Sequence, residues 1–335
     1  VSIPVIAFFN NKGGVGITSM VYHLAWMFSD RGFRVIAADL DPQGNLTAAF
    51  LDEDRLERVM PSSGHRLTVF GAVQPLKEGT GDVADPHVEI VSDRLGLILG
   101  DMALSTFEDD LSEVWPKCLE GDPRAFRIMS AFWRLVQTAA DKHGADLILI
   151  DLGPNLGAIN RASLIAADFV VIPLGPDLFS LQGLKNLGPA LRTWREGWRR
   201  RLNENPPKDL PLPSGVIQPV GYMVLRHSIR LDRPVKAFER WIARMPSTYA
   251  EAVLRFPSDP QLTIDTDPNC IGKLKDYRSL MPLAQEARKP MFFLKPADGA
   301  LGAHTYAVTE AYKDFKKVAE AILDRTGLGS LSTRN

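Results

Sequence analysis

The segment Lys12-Gly13-Gly14-Val15-Gly16-Ile17-Thr18-Ser19 constrains the fold more than any other stretch of the chain. It is preceded by Ile3–Phe9, an apolar, partly β-branched run that stops at Asn10 and Asn11 and reads as a buried strand feeding a turn. It is followed by Thr18–Arg31, in which Met20, Val21, Leu24, Ala25, Met27 and Phe28 recur at helical spacing, with Gly32 where a helix C-cap belongs. Arg34–Asp39 then reads as a second strand. Strand, glycine loop, helix and strand make a right-handed βαβ crossover and the start of a parallel sheet. Glycines at such a turn let backbone N–H groups close around phosphate oxygens, and the helix N-terminus adds partial positive charge. A tight βα turn with glycines for steric reasons alone is the competing reading, and the carboxylates downstream weigh against it.

The same grammar continues along the chain. Leu95–Leu99, Asp146–Ile150, Phe169–Pro173 and Pro219–Val224 are short apolar runs bounded by Gly, Pro or Asp, and Met291–Leu294 is a weaker strand candidate. Helical patterns cover Phe126–Lys142, Leu181–Arg201, Val235–Arg244 and Tyr306–Arg325. This alternation predicts an α/β fold, a doubly wound, mainly parallel sheet with helices on both faces. Pro61–Pro86 and Asn203–Gly215 read as loops or insertions, and strands resume after each. We therefore expect one domain over residues 1–325, with insertions near 61–86 and 203–215, and a polar tail over 326–335.

Composition narrows the function classes. Two cysteines in 335 residues, Cys118 and Cys270, stand far apart and away from any His pair, which argues against a disulfide framework, a zinc site or a Cys-ligated cluster. A net charge of −1 means that any nucleic-acid face must be a local patch. No apolar run approaches the about 20 residues that cross a bilayer, and the first residues do not read as a signal peptide, so a cytoplasmic protein with no membrane partner is expected.

The loop departs from the G-x-x-x-x-G-K-[ST] pattern at Asn11, and Lys12 accompanies that departure. It resembles the K-G-G-x-G-K-[ST] loop of the ParA/MinD family of P-loop ATPases, the deviant Walker A type. Further segments carry the resemblance in the same order. Asp39-Leu40-Asp41-Pro42-Gln43-Gly44-Asn45 is similar to the family's D-x-D-P-Q-x-N segment. The run Asp146–Asp151 resembles a Walker B strand, and Gly153-Pro154-Asn155-Leu156-Gly157 resembles the turn after it, with Gly153 departing from the usual Pro-Pro. Asp168–Pro173, Gly175-Pro176-Asp177 and Leu181-Gln182-Gly183-Leu184 follow, and Leu95–Leu111 is also similar. The likeness runs to about Asp324 and fits ParA better than MinD.

The resemblance implies ATP and Mg²⁺ as cofactors, with Asn11, Lys12, Gly13, Gly14, Val15, Gly16, Ile17, Thr18 and Ser19 around the nucleotide. It implies that Lys12 reaches across an ATP-dependent homodimer to the partner's nucleotide and that Asp41 orients the attacking water. Thr18, Asp39 and Asp151 are the expected Mg²⁺ residues. Carboxylates at the carboxyl ends of parallel strands face the ligand crevice, and Mg²⁺ keeps part of its water shell, so these roles are physically coherent. A ParB-like or cargo adaptor protein, non-specific DNA and a nucleoid-associated location complete the family expectation.

Ile17 stands where the family places its phosphate-binding lysine. A hydrogen bond to a charged group contributes about 1.5–3 kcal/mol, so nucleotide binding is weakened and hydrolysis suffers more. Two origins are open: a substitution of lysine that leaves an inactive form, or a natural branch that has dispensed with turnover. Intact Thr18, Lys12 and both aspartates tilt the reading towards substitution.

Arg192, Arg195, Arg199, Arg200 and Arg201 crowd one stretch, interleaved with Trp194 and Trp198. Spacing places Arg192, Arg195 and Arg199 on one helix face, read either as a solvated face or as a phosphate-binding surface for DNA. Arg226, Arg230 and Arg233 form a second, weaker group. The last helix, with Phe315, Val318, Ala319 and Ile322 on one side, is expected to dock on the sheet rather than lie in a membrane. The leading function is a ParA-like partitioning or positioning ATPase whose turnover is impaired by Ile17. The rival is a non-hydrolysing, nucleotide-gated scaffold on the same fold, and a metabolic ligase or reductase lacks identifiable substrate residues.

Overall fold

The computed structural model describes residues 2–60, 64–227, 235–277 and 279–329. Its strands are β1 (Val5–Phe8), β2 (Val35–Asp39), β3 (Glu89–Ser92), β4 (Leu95–Ile98), β5 (Leu147–Asp151), β6 (Phe169–Leu174), β7 (Gln218–His227) and β8 (Cys270–Lys275). They form one sheet in the order β3-β4-β2-β5-β1-β6-β7-β8. Every pairing is parallel except β3 against β4.

In chain order, the helices of the first half are α1 (Ile17–Asp30), α2 (Asn45–Phe50), α3 (Glu53–Val59), α4 (Val69–Glu78), α5 (Glu108–Lys117), α6 (Pro123–Met129) and α7 (Ala131–His143). The second half adds α8 (Ala158–Ile165), α9 (Leu178–Leu202), α10 (Val235–Ile242), α11 (Met245–Tyr249), α12 (Met281–Ala287) and α13 (Ala303–Thr326). The inner strands are buried on both faces and alternate between two cores. Val5, Ala7, Ile148 and Ile150 belong to one core with residues of α4 to α9. Ile6, Phe8, Leu147 and Leu149 belong to the other with residues of α1, α2 and α13. Two covered faces explain why the strands read as unbroken apolar runs. The expected doubly wound α/β sheet is the observed one.

The expected helix is α1, with each end one residue earlier than expected. Arg31 caps the helix, and Gly32 follows at φ 95°, its N–H donating to Ser29 O. The last helix docks on β8 and α1 through Phe315, Val318, Ala319 and Ile322. Four other expectations need correction. Met291–Leu294 is no strand: Met291–Phe293 is a 3₁₀ turn, and the Met291 N–H is taken by His23 Nε2 rather than by a ladder. The stretch 61–86, of which 61–63 lie outside the described residues, is not simply a loop. It contains α4, with Thr68 as N-cap and Val69, Phe70, Val73 and Leu76 buried. Gly71 and Pro75 disguise that helix, and Gly71 is required because a Cβ there would lie 1.9 Å from His65 O. The pattern Phe126–Lys142 is two helices broken at Ser130, whose hydroxyl donates to Phe126 O. Finally, edge strands β3 and β8 went unread. Each is short, and β8 carries Gly272 and two lysines.

Candidate functional site

The carboxyl ends of β1, β5 and β2 lie side by side, and the candidate residues gather there. In the β2–β5 register Asp39 is paired with Asp151, and in the β1–β5 register Phe8 is paired with Asp151. Gly14 at φ 74° and Gly16 at φ 94° take left-handed backbone that an L side chain rarely adopts. They bend the chain back so that α1 starts directly over the strand end. Gly16 is the N-cap, and no side chain caps the helix. The first-turn N–H groups therefore lack a side-chain acceptor, which leaves an anion-binding end with no acidic residue in that turn.

A cavity of about 710 Å³ opens on this turn. Residues 12–19 line it together with Asp41, Gln43, Pro154 and Tyr22, and α12 closes one side with Met281, Ala284 and Gln285. A second cavity of about 420 Å³ shares Val15, Gly16, Ser19 and Met281 and extends past Leu225, Asp276 and Tyr277. Of the expected nucleotide residues, Asn11 alone is outside the first lining, and its buried Oδ1 has no hydrogen-bond partner. Ile17 is only 8% exposed and belongs to the apolar core beneath α1 while still facing the cavity.

Asp39 and Asp151 are both fully buried. Asp39 Oδ2 accepts from Thr47 N at 2.8 Å and from Thr47 Oγ1 at 2.7 Å, but its Oδ1 and both oxygens of Asp151 have no partner. Burial pushes the Asp39 carboxyl up to about 7, with the hydrogen bonds from Thr47 opposing the rise. Asp151 is raised well above the usual carboxylate range by burial first and by the Asp39 charge second, and the Thr18 side chain counters part of this. Buried carboxylates left unpaired are costly, and a divalent cation is the ordinary remedy. Three orphaned oxygens beside Thr18 and the phosphate loop fit Mg²⁺. Asp41 accepts from Gln43 N at 3.0 Å and lies on the cavity wall, where water has access.

Lys12 lines the cavity and is held by an acidic partner. Its Nζ is ion-paired with Asp177, which also caps α9 by accepting from Ser180 N at 3.0 Å. The pairing, with burial opposing it, holds the Asp177 carboxyl below its ordinary range. Leu178 and Phe179 follow at 48% and 69% exposure, so an apolar rim adjoins the lysine.

Several residues of the site were not singled out from sequence. Thr47 orients Asp39 and also accepts from Gly100 N at 2.8 Å. Asn160 Nδ2 donates to Gly153 O and Asn155 O, shaping the turn after β5. Glu108 accepts from Ala158 N and Ile159 N and so caps α8 from another helix. Thr47, two residues past the quoted segment, was within reach of the pattern; the other two are long-range contacts with no local signal.

The arginine stretch is divided. Arg192 Nη1 donates to Ala252 O at 2.6 Å, and Arg195 Nη2 donates to Ile217 O at 3.0 Å. Arg201 is 6% exposed and lies 3.5 Å over the Trp115 ring. Arg199 and Arg200 are exposed. Trp194 and Trp198 are core residues, and Trp198 Nε1 donates to Pro213 O in the proline-rich excursion. Arg226, Arg230 and Arg233 lie outside the described residues and side chains.

A family model described as an AAA domain matches residues 3–204, which include the glycine loop and both strand-end aspartates. The chain belongs to that family. Within it the relatives are of the ParA-like partitioning kind. The chain is 32% identical to protein IncC of Escherichia coli over 191 residues, 56% of this chain and 45% of IncC. It is 30% identical to the chromosome-partitioning ATPase Soj of Thermus thermophilus over 197 residues, 59% of this chain and 65% of Soj. The match thus spans less than two thirds of either relative. A putative plasmid partition protein from Borrelia burgdorferi, solved with AMPPNP bound, superposes with a TM-score of 0.61 at 18% identity, covering 96% of this chain and 99% of that one. That likeness establishes the fold. The ParA-like chain has, among its described residues, no helix long and apolar enough to cross a membrane.

Proposed function

We propose that this ParA-like chain is a nucleotide switch of the partitioning or positioning type, which dimerises face to face around Mg-ATP. The observation that carries the reading is the set of orphaned carboxylate oxygens on Asp39 and Asp151, beside an uncapped helix N-terminus. Residues 11–19 hold the nucleotide, Thr18, Asp39 and Asp151 hold Mg²⁺ largely through its waters, and Asp41 orients the attacking water. Mg²⁺, when bound, neutralises phosphate charge. Lys12 leaves Asp177 to reach the partner's nucleotide, and the apolar rim at Leu178 and Phe179 meets its counterpart. The dimer binds DNA without sequence preference, through Arg199 and Arg200 among the described arginines, and a ParB-like or cargo adaptor protein regulates it at the nucleoid.

Burial of Ile17 supports a second reading. An isoleucine seated in the core beneath α1 suits a chain that binds nucleotide as a gate and does not turn it over. Sedimentation of the protein with and without Mg-ATP tests both: a nucleotide-dependent dimer supports the switch, and an unchanged monomer opposes it. Phosphate release then separates slow turnover from none.

A further inference from the structure

His23 lies one helical turn beyond the phosphate loop and is 2% exposed. Its Nε2 accepts from Met291 N at 3.1 Å, and its Nδ1 lies 2.6 Å from Ser19 O. A backbone N–H can only donate, so Nε2 is the bare nitrogen and Nδ1 carries the proton, donating to Ser19 O. The ring stacks on Phe315 with centroids 5.0 Å apart, and Phe292 meets it edge-on at 5.8 Å. A phenyl group would fill the same space without burying two polar nitrogens, which must both be bonded to be tolerated there. What the imidazole adds is a bridge between two backbone groups 272 residues apart (Ser19 and Met291).

Both ends of that bridge are walls of the site. Ser19 lines both cavities, and Met291 lines the second. Met281 and Gln285 of α12 line both, and the Ser19 hydroxyl lies 4.0 Å from Met281 Sδ. At the far end of α12, Arg288 donates to Ala48 O and Leu51 O, the carbonyls that end α2, and α2 carries the Thr47 that holds Asp39. The 281–291 segment is therefore tied to the phosphate turn by His23 and to the metal-side helix by Arg288.

We propose that His23 is a positioning residue: it couples the phosphate-binding start of α1 to the 281–291 segment, so that a nucleotide on the loop fixes that segment as the wall over it. The inference rests on the nucleotide reading of the loop. His23 also borders the first cavity, but both of its ring nitrogens are taken by Ser19 O and Met291 N, so its part is to hold those two groups.

The test uses the full chain with Mg²⁺ and a fluorescent ATP analogue, and reads the dissociation constant, the melting temperature and hydrogen exchange at the Met291 amide. In the wild-type chain, nucleotide slows Met291 exchange. His23→Phe keeps the ring packing and loses both hydrogen bonds, so binding weakens by about tenfold, as for loss of a buried hydrogen bond, and the Met291 response disappears. His23→Asn keeps a donor near Ser19 O but is too short for Met291, so the coupling is still lost: binding weakens as in His23→Phe and the Met291 response stays absent. Variants that melt lower yet bind as wild type overturn the inference alone. Met291 exchange that is indifferent to nucleotide in the wild-type chain overturns it whatever the variants do. If the wild-type chain binds no nucleotide, the reading of the loop falls and the inference with it.

Discussion

Asp39 and Asp151 are register partners on adjacent parallel strands, and three of their four carboxylate oxygens have no hydrogen-bond donor. Burial strips both groups of hydration, and each also faces a like charge, Asp41 beside Asp39 and Asp39 beside Asp151, which is why both resist ionisation. The pair is thus suited to a divalent ion.

The first expectation separates stability from binding. Asp151→Asn replaces an unpaired buried carboxyl with an amide of the same shape, so the nucleotide-free protein melts at the same temperature or higher. Saturating Mg-ATP at about a hundredfold its dissociation constant adds about 2.7 kcal/mol to the wild-type chain and little to the variant. Thermal melts with and without Mg-ATP check this. A variant that melts well below wild type and still responds to Mg-ATP assigns Asp151 a structural role.

A second expectation concerns Lys12 and Asp177. The ion pair is about one third exposed on each side, so it contributes no more than about 1 kcal/mol. Asp177→Asn keeps the cap on α9 through its side-chain oxygen and releases Lys12. Two such pairs break per dimer, so the nucleotide-dependent dimer then forms at up to about a thirtyfold lower protein concentration, the equivalent of about 2 kcal/mol. Sedimentation across a concentration series gives the answer, and weaker dimerisation of the variant would show that Asp177 serves the dimer rather than restrains it.

Local signals made the sheet and the loop legible. Buried parallel strands such as Leu147–Asp151 are continuous apolar runs, and the glycines at 14 and 16 mark a turn that only left-handed backbone can make. The aspartates were readable because they end strands. What escaped was long-range or disguised: α4 behind Gly71 and Pro75, edge strand β8 with its lysines, and the capture of the Met291 N–H by His23. The arginine stretch shows the same limit from the other side. Helical spacing placed Arg192 and Arg195 on one face, but it could not reveal that carbonyls of residues 252 and 217 await them.

That division changes how DNA binding is tested. Arg195→Glu would set a carboxylate against the Ile217 carbonyl, so it confounds binding with folding. Arg199→Glu with Arg200→Glu alters exposed charge alone. If these arginines meet phosphates, the double change lowers DNA affinity and flattens its dependence on salt by about two phosphate contacts, with no change in melting temperature. Equal salt slopes for the two proteins would make these arginines a solvated helix end.

The pH dependence of stability follows from His23. Burial lowers its pKa from 6.5 to about 4, so between those values the unfolded chain binds a proton that the folded chain refuses. Stability from this group is complete above pH 6.5 and is lost as pH falls towards 4, by up to about 3 kcal/mol. Denaturant titrations across that window should show a steeper loss for the wild-type chain than for His23→Phe. Parallel curves would mean that His23 titrates alike in the folded and unfolded chains, against its burial as a neutral ring.

The most direct measurement pairs equilibrium ATP binding with phosphate release on one preparation, in Mg²⁺, for the chain as it stands and for Ile17→Lys. The expected result is one ATP per chain in both proteins, release near background with Ile17, and faster release with the lysine, because Lys12, the loop's one other cation position, is directed to the partner's nucleotide and does not replace that charge. Absence of ATP binding, or robust phosphate release by the Ile17 chain, would contradict the account.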